Sequence, residues 1–185
     1  MFEITIDNRQ VLAALAQLQH RANDLSPAMR EISELLMFHT EEAFDAEGPD
    51  WPKLADATRK QREKLGYTGK MLERSGQLKS SLSTVYGRDF AGIGSNKVYA
   101  AIHQFGGTIQ HAARSQHAYF KQHKDGSVGN RFVKKAHSNF AQRVTIGAHD
   151  TAIPARPYLP ITADGELKPG VEDDVLAIVR RFLAG

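Results

Sequence analysis

Histidine is the residue type that most strongly suggests chemistry in this sequence, because eight of the 185 residues are histidines and imidazole is a common metal ligand. His111, His117 and His123 follow one another at intervals of six, so they would share one face of an extended strand. Residues six apart in a strand lie about 20 Å apart, however, which is too far to share one ion. Between residues 111 and 149 the only carboxylate is Asp125, and no His-Glu-x-x-His motif occurs. We therefore expect surface histidines and no metal site, and a histidine-based metal-dependent hydrolase is the least favoured alternative.

Other catalytic patterns are equally weak. Residues 92–97 resemble a phosphate-binding turn before a helix, but they lack P-loop spacing, so a tight strand-to-helix connection is favoured. Ser75, Ser80 and Ser81 lie near Lys79, yet this is also the pattern of a capped turn, and no Gly-x-Ser-x-Gly elbow is present. The sequence has no cysteine, which excludes disulfides, thiolate metal sites and a cysteine nucleophile. We expect no catalytic residue, no cofactor and no enzyme activity.

The basic middle of the chain is a stronger candidate for function. Residues 111–149 hold seven Lys or Arg residues and one acid, and aromatic residues are interleaved with them. Such a stretch can pair with phosphates and stack on bases. No fingerprint of a nucleic-acid-binding fold is present, so we expect contact with DNA without sequence readout. The residues expected to face DNA are Arg114, Lys121, Lys124, Arg131, Lys134, Lys135 and Arg143.

Charge and composition place limits on partners. The net charge is +3, but residues 1–50 hold ten acids and three basic residues. An acidic end and a basic middle favour head-to-tail contact between copies, or a polyanion facing the basic part. The apolar run over residues 11–16 is far shorter than the roughly 20 residues of a membrane span, and residues 1–10 have no basic n-region. We expect no membrane partner and no secretory signal.

The first 50 residues predict a helix pair. Residues 2–6 alternate as a short strand, and apolar spacings of three and four then predict helices over about 8–24 and 27–46. Ser26 is expected to cap the second helix, with Pro27 at its first position. The buried stripe of the first helix is predicted to be Val11, Leu15, Leu18, Ala22 and Leu25. The stripe of the second is predicted to be Met29, Ile32, Leu36 and Ala43, broadened by Leu35 and Phe38.

Shorter elements follow. Trp51 stands between prolines in a loop and is expected to plug a core edge, with its indole N–H bonded to backbone. Thr58 and Gln61 have capping-box spacing, and Gly66 is expected to end that helix. Strands are predicted at 82–86 and 90–94, a helix at 97–104 that ends at Gly106, and a hairpin with a turn at 125–126. Residues 153–160 are expected to be extended and 171–182 helical.

The predicted fold class is α+β. It has an N-terminal helix pair, a small antiparallel β-sheet with short helices and a long basic hairpin or loop, and a C-terminal helix. A chain of 185 residues is expected to form one domain. We therefore predict a single domain over residues 1–185 with a basic insertion at about 111–149.

Four ordered segments carry a family resemblance. They are Gly-Pro-Asp-Trp-Pro-Lys-Leu at 48–54 followed by Thr58, Leu-Glu-Arg-Ser-Gly-Gln-Leu at 72–78, the segment from Gly94 through Tyr-Ala-Ala-Ile-His-Gln-Phe-Gly-Gly at 99–107, and Ile-Pro-Ala-Arg-Pro-Tyr-Leu at 153–159. In this order they resemble the phage virion morphogenesis family, the tail completion proteins of Mu-like and related tailed phages. The resemblance covers roughly residues 25–183. The stretch from 111 to 149 departs from it, because it is longer and more basic than the family pattern.

The resemblance implies a structural role late in virion assembly. Such proteins act at the neck or tail top, where a finished tail joins a DNA-filled head, and similar neck and tail-terminator proteins form rings, often hexamers. The implied partners are further copies of the chain, neighbouring phage neck and tail proteins, and phage DNA without sequence specificity. The implied location is the virion, after assembly in the host cytoplasm. A free nucleic-acid-binding protein is the alternative.

The resemblance also implies roles for motif residues at subunit interfaces or in the architecture. Tyr99, His103 and Gln104 lie on about one helical face and would contact the core or a neighbouring subunit. Arg156, held extended before Pro157, would pair with an acid of the same or the next copy. The full set of motif residues is Trp51, Gly76, Leu78, Tyr99, His103, Gln104, Gly106, Gly107, Pro154, Arg156 and Pro157.

Overall fold

The computed structural model describes residues 9–48, 50–67 and 69–184, apart from the side chain of Val11. The helices are α1 (Arg9–Asn23), α2 (Ser26–Asp45), α3 (Asp56–Lys64), α4 (Ala100–Phe105) and α5 (Pro169–Ala184). The strands are β1 (Leu82–Tyr86), β2 (Ala91–Ser95), β3 (Gly107–His111), β4 (Arg114–Phe120), β5 (Phe140–Ile146) and β6 (His149–Ile153). The predicted α+β class is confirmed. The strand predicted at residues 2–6 lies outside the described residues.

The chain folds into two compact units. One unit combines the chain up to Gly106 with the chain from Pro154, and the other is the segment Gly107–Ile153. The predicted basic insertion at 111–149 lies within the second unit, while the prediction of a single domain stays a prediction. Among the described residues, no helix is both long and apolar enough to cross a membrane.

The predicted N-terminal helix pair is confirmed, but its buried faces differ from the prediction. Ile32 and Leu36 of α2 pack against α5 in one core cluster, whereas Phe38 is 55% exposed. A residue two positions after Leu36 is rotated by about 200° around the helix, so it cannot share the same face. The stripe predicted for α1 is also wrong, because Leu15 and Leu18 are exposed.

Two predicted helix caps are wrong, because the N-cap residues of α2 and α3 are Leu25 and Ala55 and neither makes a side-chain cap bond. α2 begins at Ser26, and the Asp24 carboxylate accepts the Ser26 N–H at 3.0 Å and its hydroxyl at 2.6 Å. These bonds lower the pKa of Asp24. α3 begins at Asp56, so Thr58 lies inside the helix and forms no capping box. Its predicted end is confirmed, because Gly66 has φ 76° and follows the last turn in a Schellman arrangement.

The strands of the first unit form one hairpin beside α2. β1 pairs antiparallel with β2, from Leu82 opposite Ser95 to Tyr86 opposite Ala91. α4 begins three residues later than predicted. The Ser95 hydroxyl accepts the Lys97 N–H at 3.1 Å, and a turn precedes the helix, so its first residue is Ala100.

The second unit contains two antiparallel pairs, β3 with β6 and β4 with β5. The hairpin predicted for the basic stretch is therefore confirmed. Its long loop is shaped by the Asp125 carboxylate, which accepts the Ser127 N–H at 3.0 Å and its hydroxyl at 2.7 Å. The Asn139 side chain closes the loop base through bonds of 2.7 and 2.9 Å with the backbone of Gln122.

Candidate functional site

The four sequence motifs converge on one core cluster of the first unit. Each motif contributes one buried residue to it: Trp51, Leu78, Ala100 and Tyr158. Phe44 of α2 lies at the centre and is fully buried. Segments more than 100 residues apart in sequence are therefore fixed to each other through a shared apolar centre.

Trp51 locks the first motif to the fourth. Its side chain is 7% exposed, and its ring meets Phe44 edge-on at a centroid distance of 6.2 Å. The indole N–H donates to the Pro157 carbonyl at 3.1 Å. The expectation that this tryptophan plugs a core edge with its N–H bonded to backbone is confirmed.

A pair of glycine variants tests how rigidly Trp51 is held. Gly48 and Gly66 have φ values of 50° and 76°, a region that disfavours any residue with a Cβ. A Cβ on Gly66 would meet open space, whereas one on Gly48 would overlap the Trp51 indole. We expect Gly66→Ala to cost about 1 kcal/mol and Gly48→Ala clearly more, measured by urea unfolding. Equal losses would contradict a fixed indole.

The fourth motif packs along α4, and after β6 ends at Ile153 it has no regular secondary structure. The backbone N–H of Arg156 donates to the backbone carbonyl of His103 at 2.7 Å. The side-chain oxygen of Gln104 accepts the N–H groups of both Tyr158 and Leu159 at 2.9 Å. The Tyr158 hydroxyl donates to the Ala100 carbonyl at 3.2 Å, and burial raises the pKa of Tyr158. Backbone groups that have no sheet partner are thus satisfied by α4.

Arg156 is buried and has no acidic partner among the described residues. It is 6% exposed, and its Nε donates to the Pro52 carbonyl at 3.0 Å while an Nη donates to the Lys53 carbonyl at 3.5 Å. Burial lowers its pKa. No carboxylate of the described chain pairs with it, so the pairing with an acid of another copy stays a prediction.

The three residues expected on one face of α4 have different surroundings. Gln104 is 3% exposed and bonds the fourth motif, whereas Tyr99 lies at the surface and meets the His103 ring at a centroid distance of 5.9 Å. The His103 Nδ1 is buried and has no hydrogen-bond partner among the described residues. Burial, and then the charge of Arg156, lower the pKa of His103.

The remaining motif residues are glycines and prolines that determine the local backbone conformation. Gly76 and Gly106 have φ values of 67° and 71°, and Gly107 has 154°, conformations that favour glycine. Pro154 follows β6, and the Pro157 carbonyl accepts the Trp51 indole. For all of these residues, contact with a neighbouring subunit stays a prediction.

The second unit presents a basic surface. Between Gly107 and Ile153 the sequence has seven Lys or Arg residues and two acids. All seven basic side chains expected to face DNA are exposed. Phe132 is 77% exposed and lies 5.1 Å from Phe120 between ring centroids. This unit therefore offers both positive charge and an accessible aromatic ring.

The histidines of this unit are not arranged around a shared ion. His111 lies opposite His149 in the β3–β6 pair, and their rings stack at a centroid distance of 4.8 Å. His117 instead lies opposite Arg143 in the β4–β5 pair. Across the described part of the chain, no group of three or more His, Asp or Glu residues could hold a metal ion.

The sequence matches known phage proteins. The model of the phage virion morphogenesis family matches residues 6–180. Protein G of Escherichia phage Mu, provisionally named for capsid assembly, is 36% identical over 117 residues, which are 60% of this chain and 74% of that protein. G protein 2 of the Mu-like prophage FluMu of Haemophilus influenzae is 35% identical over 109 residues, which are 58% of this chain and 72% of that protein. No solved structure matches.

Proposed function

Because the chain belongs to the phage virion morphogenesis family, we propose that it completes phage tails and joins them to filled heads. In this proposal it is a subunit of a ring at the neck or tail top. The observation that carries the proposal is the family match over residues 6–180. The match includes all four motifs that meet in one core cluster.

The bonding of the motif side chains supports a structural role. Trp51, Gln104 and Arg156 all use their polar groups to bind backbone atoms of distant segments. Such contacts fix one segment of a chain against another, which is what a building block with a defined surface requires. A virion subunit is selected for that surface, because its neighbours must recognise it.

The distribution of charge supports the proposed ring. The acidic first 50 residues and the basic middle are segments of opposite charge on one chain. Contacts between two different surfaces are heterologous, and they close into a ring when the rotation between copies permits it. The resemblance to neck and tail-terminator proteins favours a hexamer.

Deletion of the gene distinguishes tail completion from capsid assembly, the process for which the phage Mu relative is named. For a joining protein we expect a lysate that contains full heads and tails as separate particles in electron microscopy. Missing or aberrant heads would instead assign the chain to capsid assembly. Normal infectious particles would contradict both roles. Expression of the intact gene in trans is the control, and it should restore infectious particles.

A second candidate function is DNA binding without sequence specificity, favoured by the basic surface of the Gly107–Ile153 unit. In a neck ring this surface would face the exiting DNA, where phosphate attraction alone suffices. The affinity of such an interaction falls steeply as salt is added. Binding releases counterions from the DNA, and this release is less favourable at a higher salt concentration.

Glutamine variants of the basic loop test this role. We expect the fourfold variant of Lys121, Lys124, Lys134 and Lys135 to lose retention on DNA at low salt. The plot of log affinity against log salt concentration has a negative slope. The magnitude of this slope should decrease by up to about 3.6 in the variant, since each phosphate contact contributes about 0.9. The matched control replaces four exposed basic residues of the other unit, Lys53, Lys60, Lys64 and Arg180, with glutamine. Equal retention of both variants on DNA cellulose would contradict a DNA-facing loop.

A further inference from the structure

A pocket of about 330 Å³ lies beside the motif residues of the first unit, and its wall is strongly cationic. Arg62, Arg74 and Arg156 line it together with His103. No carboxylate is part of this wall in the described chain. We call this cavity the arginine pocket. The apolar part of its wall consists of Leu54, Leu72, Leu78 and Tyr99.

The three guanidinium groups of the arginine pocket are held in place by neutral partners. Arg62 donates to two backbone carbonyls at 2.7 and 3.1 Å. Arg74 lies over the Tyr67 ring at 4.8 Å, and Arg156 donates to the backbone of the first motif. None of the three forms an ion pair with a described acid within 4.0 Å. Three positive charges therefore line one cavity whose wall holds no carboxylate of the described chain.

This arrangement is electrostatically incomplete. Arg156 is 6% exposed, and burying a charge without a counter-charge is energetically unfavourable. A bound anion would supply the missing counter-charge. Guanidinium groups bind carboxylate and phosphate oxygens with particular strength.

We propose that the arginine pocket binds a carboxylate, and that this carboxylate is an Asp or Glu side chain of a second copy of the chain. The pocket is concave and partly walled by leucines, so it accommodates a single side chain with an apolar stem. A second copy offers the complementary charge, because residues 1–50 hold ten acids.

This contact deepens the proposed ring and rests on it, since it specifies how one copy recognises the next. Arg74 is the residue to change, because it is exposed at the rim and bonds no distant backbone segment. The matched control is Lys60→Glu, which makes the same charge change at an exposed position of α3 outside the pocket. Urea unfolding and circular dichroism of each variant establish that the fold is retained, and Arg74→Gln provides a milder second variant.

The measurement is sedimentation velocity of the full chain over a range of concentrations at low and high salt. We expect wild type and Lys60→Glu to associate alike, and Arg74→Glu to weaken association at least tenfold, with Arg74→Gln in between. Monomeric wild type, or unchanged association of Arg74→Glu, would overturn the proposal. Loss of DNA retention by Arg74→Glu with intact association would overturn it too, because the pocket would then serve phosphates.

Phage complementation separates this proposal from the proposed function. If gene deletion leaves heads and tails unjoined but Arg74→Glu both associates and complements normally, the pocket proposal fails and the joining role stands. If deletion yields normal particles, the joining role fails whatever Arg74→Glu does. Unjoined particles from an Arg74→Glu phage, together with weakened association, would support both.

Discussion

Replacing Trp51 with alanine is expected to lower the free energy of unfolding by about 3–5 kcal/mol, the usual range for a buried tryptophan. The side chain touches Phe44 at the centre of the motif cluster, so its removal leaves a cavity that neighbouring rings cannot fill without moving. The Pro157 carbonyl also loses its donor. A domain of ordinary stability has about 5–15 kcal/mol in total, so this single change should bring it close to unfolding.

Far-UV circular dichroism during urea unfolding measures this loss, because the variant removes the only tryptophan. Trp51→Phe keeps a ring in place and removes the N–H, so it should cost about 1–2 kcal/mol for the lost bond plus a smaller packing term. The matched surface control is Phe38→Ala, which removes an aromatic ring that is 55% exposed and should cost less than about 1 kcal/mol. Similar losses for Phe38→Ala and Trp51→Ala would show that the motif cluster does not stabilise the fold.

The elements that depend on local spacing could be predicted from the sequence. The periodic spacing of apolar residues predicted α2 and α5, and Gly66 was correctly predicted to terminate α3. Both features depend on residues that are close in sequence. The burial of Trp51 and the bond of its indole N–H to backbone could be predicted as well. A tryptophan in a proline-containing loop usually packs against the edge of a core, and its N–H then needs an acceptor.

The pairings between distant residues could not be predicted in the same way. Burial of a helix face depends on which other element reaches it, and this is why the stripe assigned to α1 proved exposed. Arg156 was expected to pair with an acid of the same or the next copy, yet its guanidinium donates to the carbonyls of Pro52 and Lys53. No local pattern reveals that a loop about 100 residues earlier will supply acceptors instead of an acid.

Gln104 is the clearest example of a residue whose partners are distant in sequence, and its replacement is expected to destabilise the fold strongly. A glutamine in a short helix gives no sign of burial, yet its side-chain oxygen accepts two N–H groups of the fourth motif. Gln104→Leu keeps the approximate volume and removes the acceptor, leaving both N–H groups of Tyr158 and Leu159 without a partner. Since each unsatisfied buried donor costs about 1–3 kcal/mol, we expect a loss of about 2–5 kcal/mol.

The fluorescence of Trp51 measures this loss directly, because the indole and Gln104 bind the same extended segment. The matched control is Gln61→Leu at an exposed position of α3, where we expect a change within about 0.5 kcal/mol. Gln104→Glu keeps acceptor oxygens and should lose less stability than Gln104→Leu. An equally small effect of Gln104→Leu and Gln61→Leu would mean that water satisfies both N–H groups. The fourth motif would then be held to α4 by the backbone N–H of Arg156 and the hydroxyl of Tyr158.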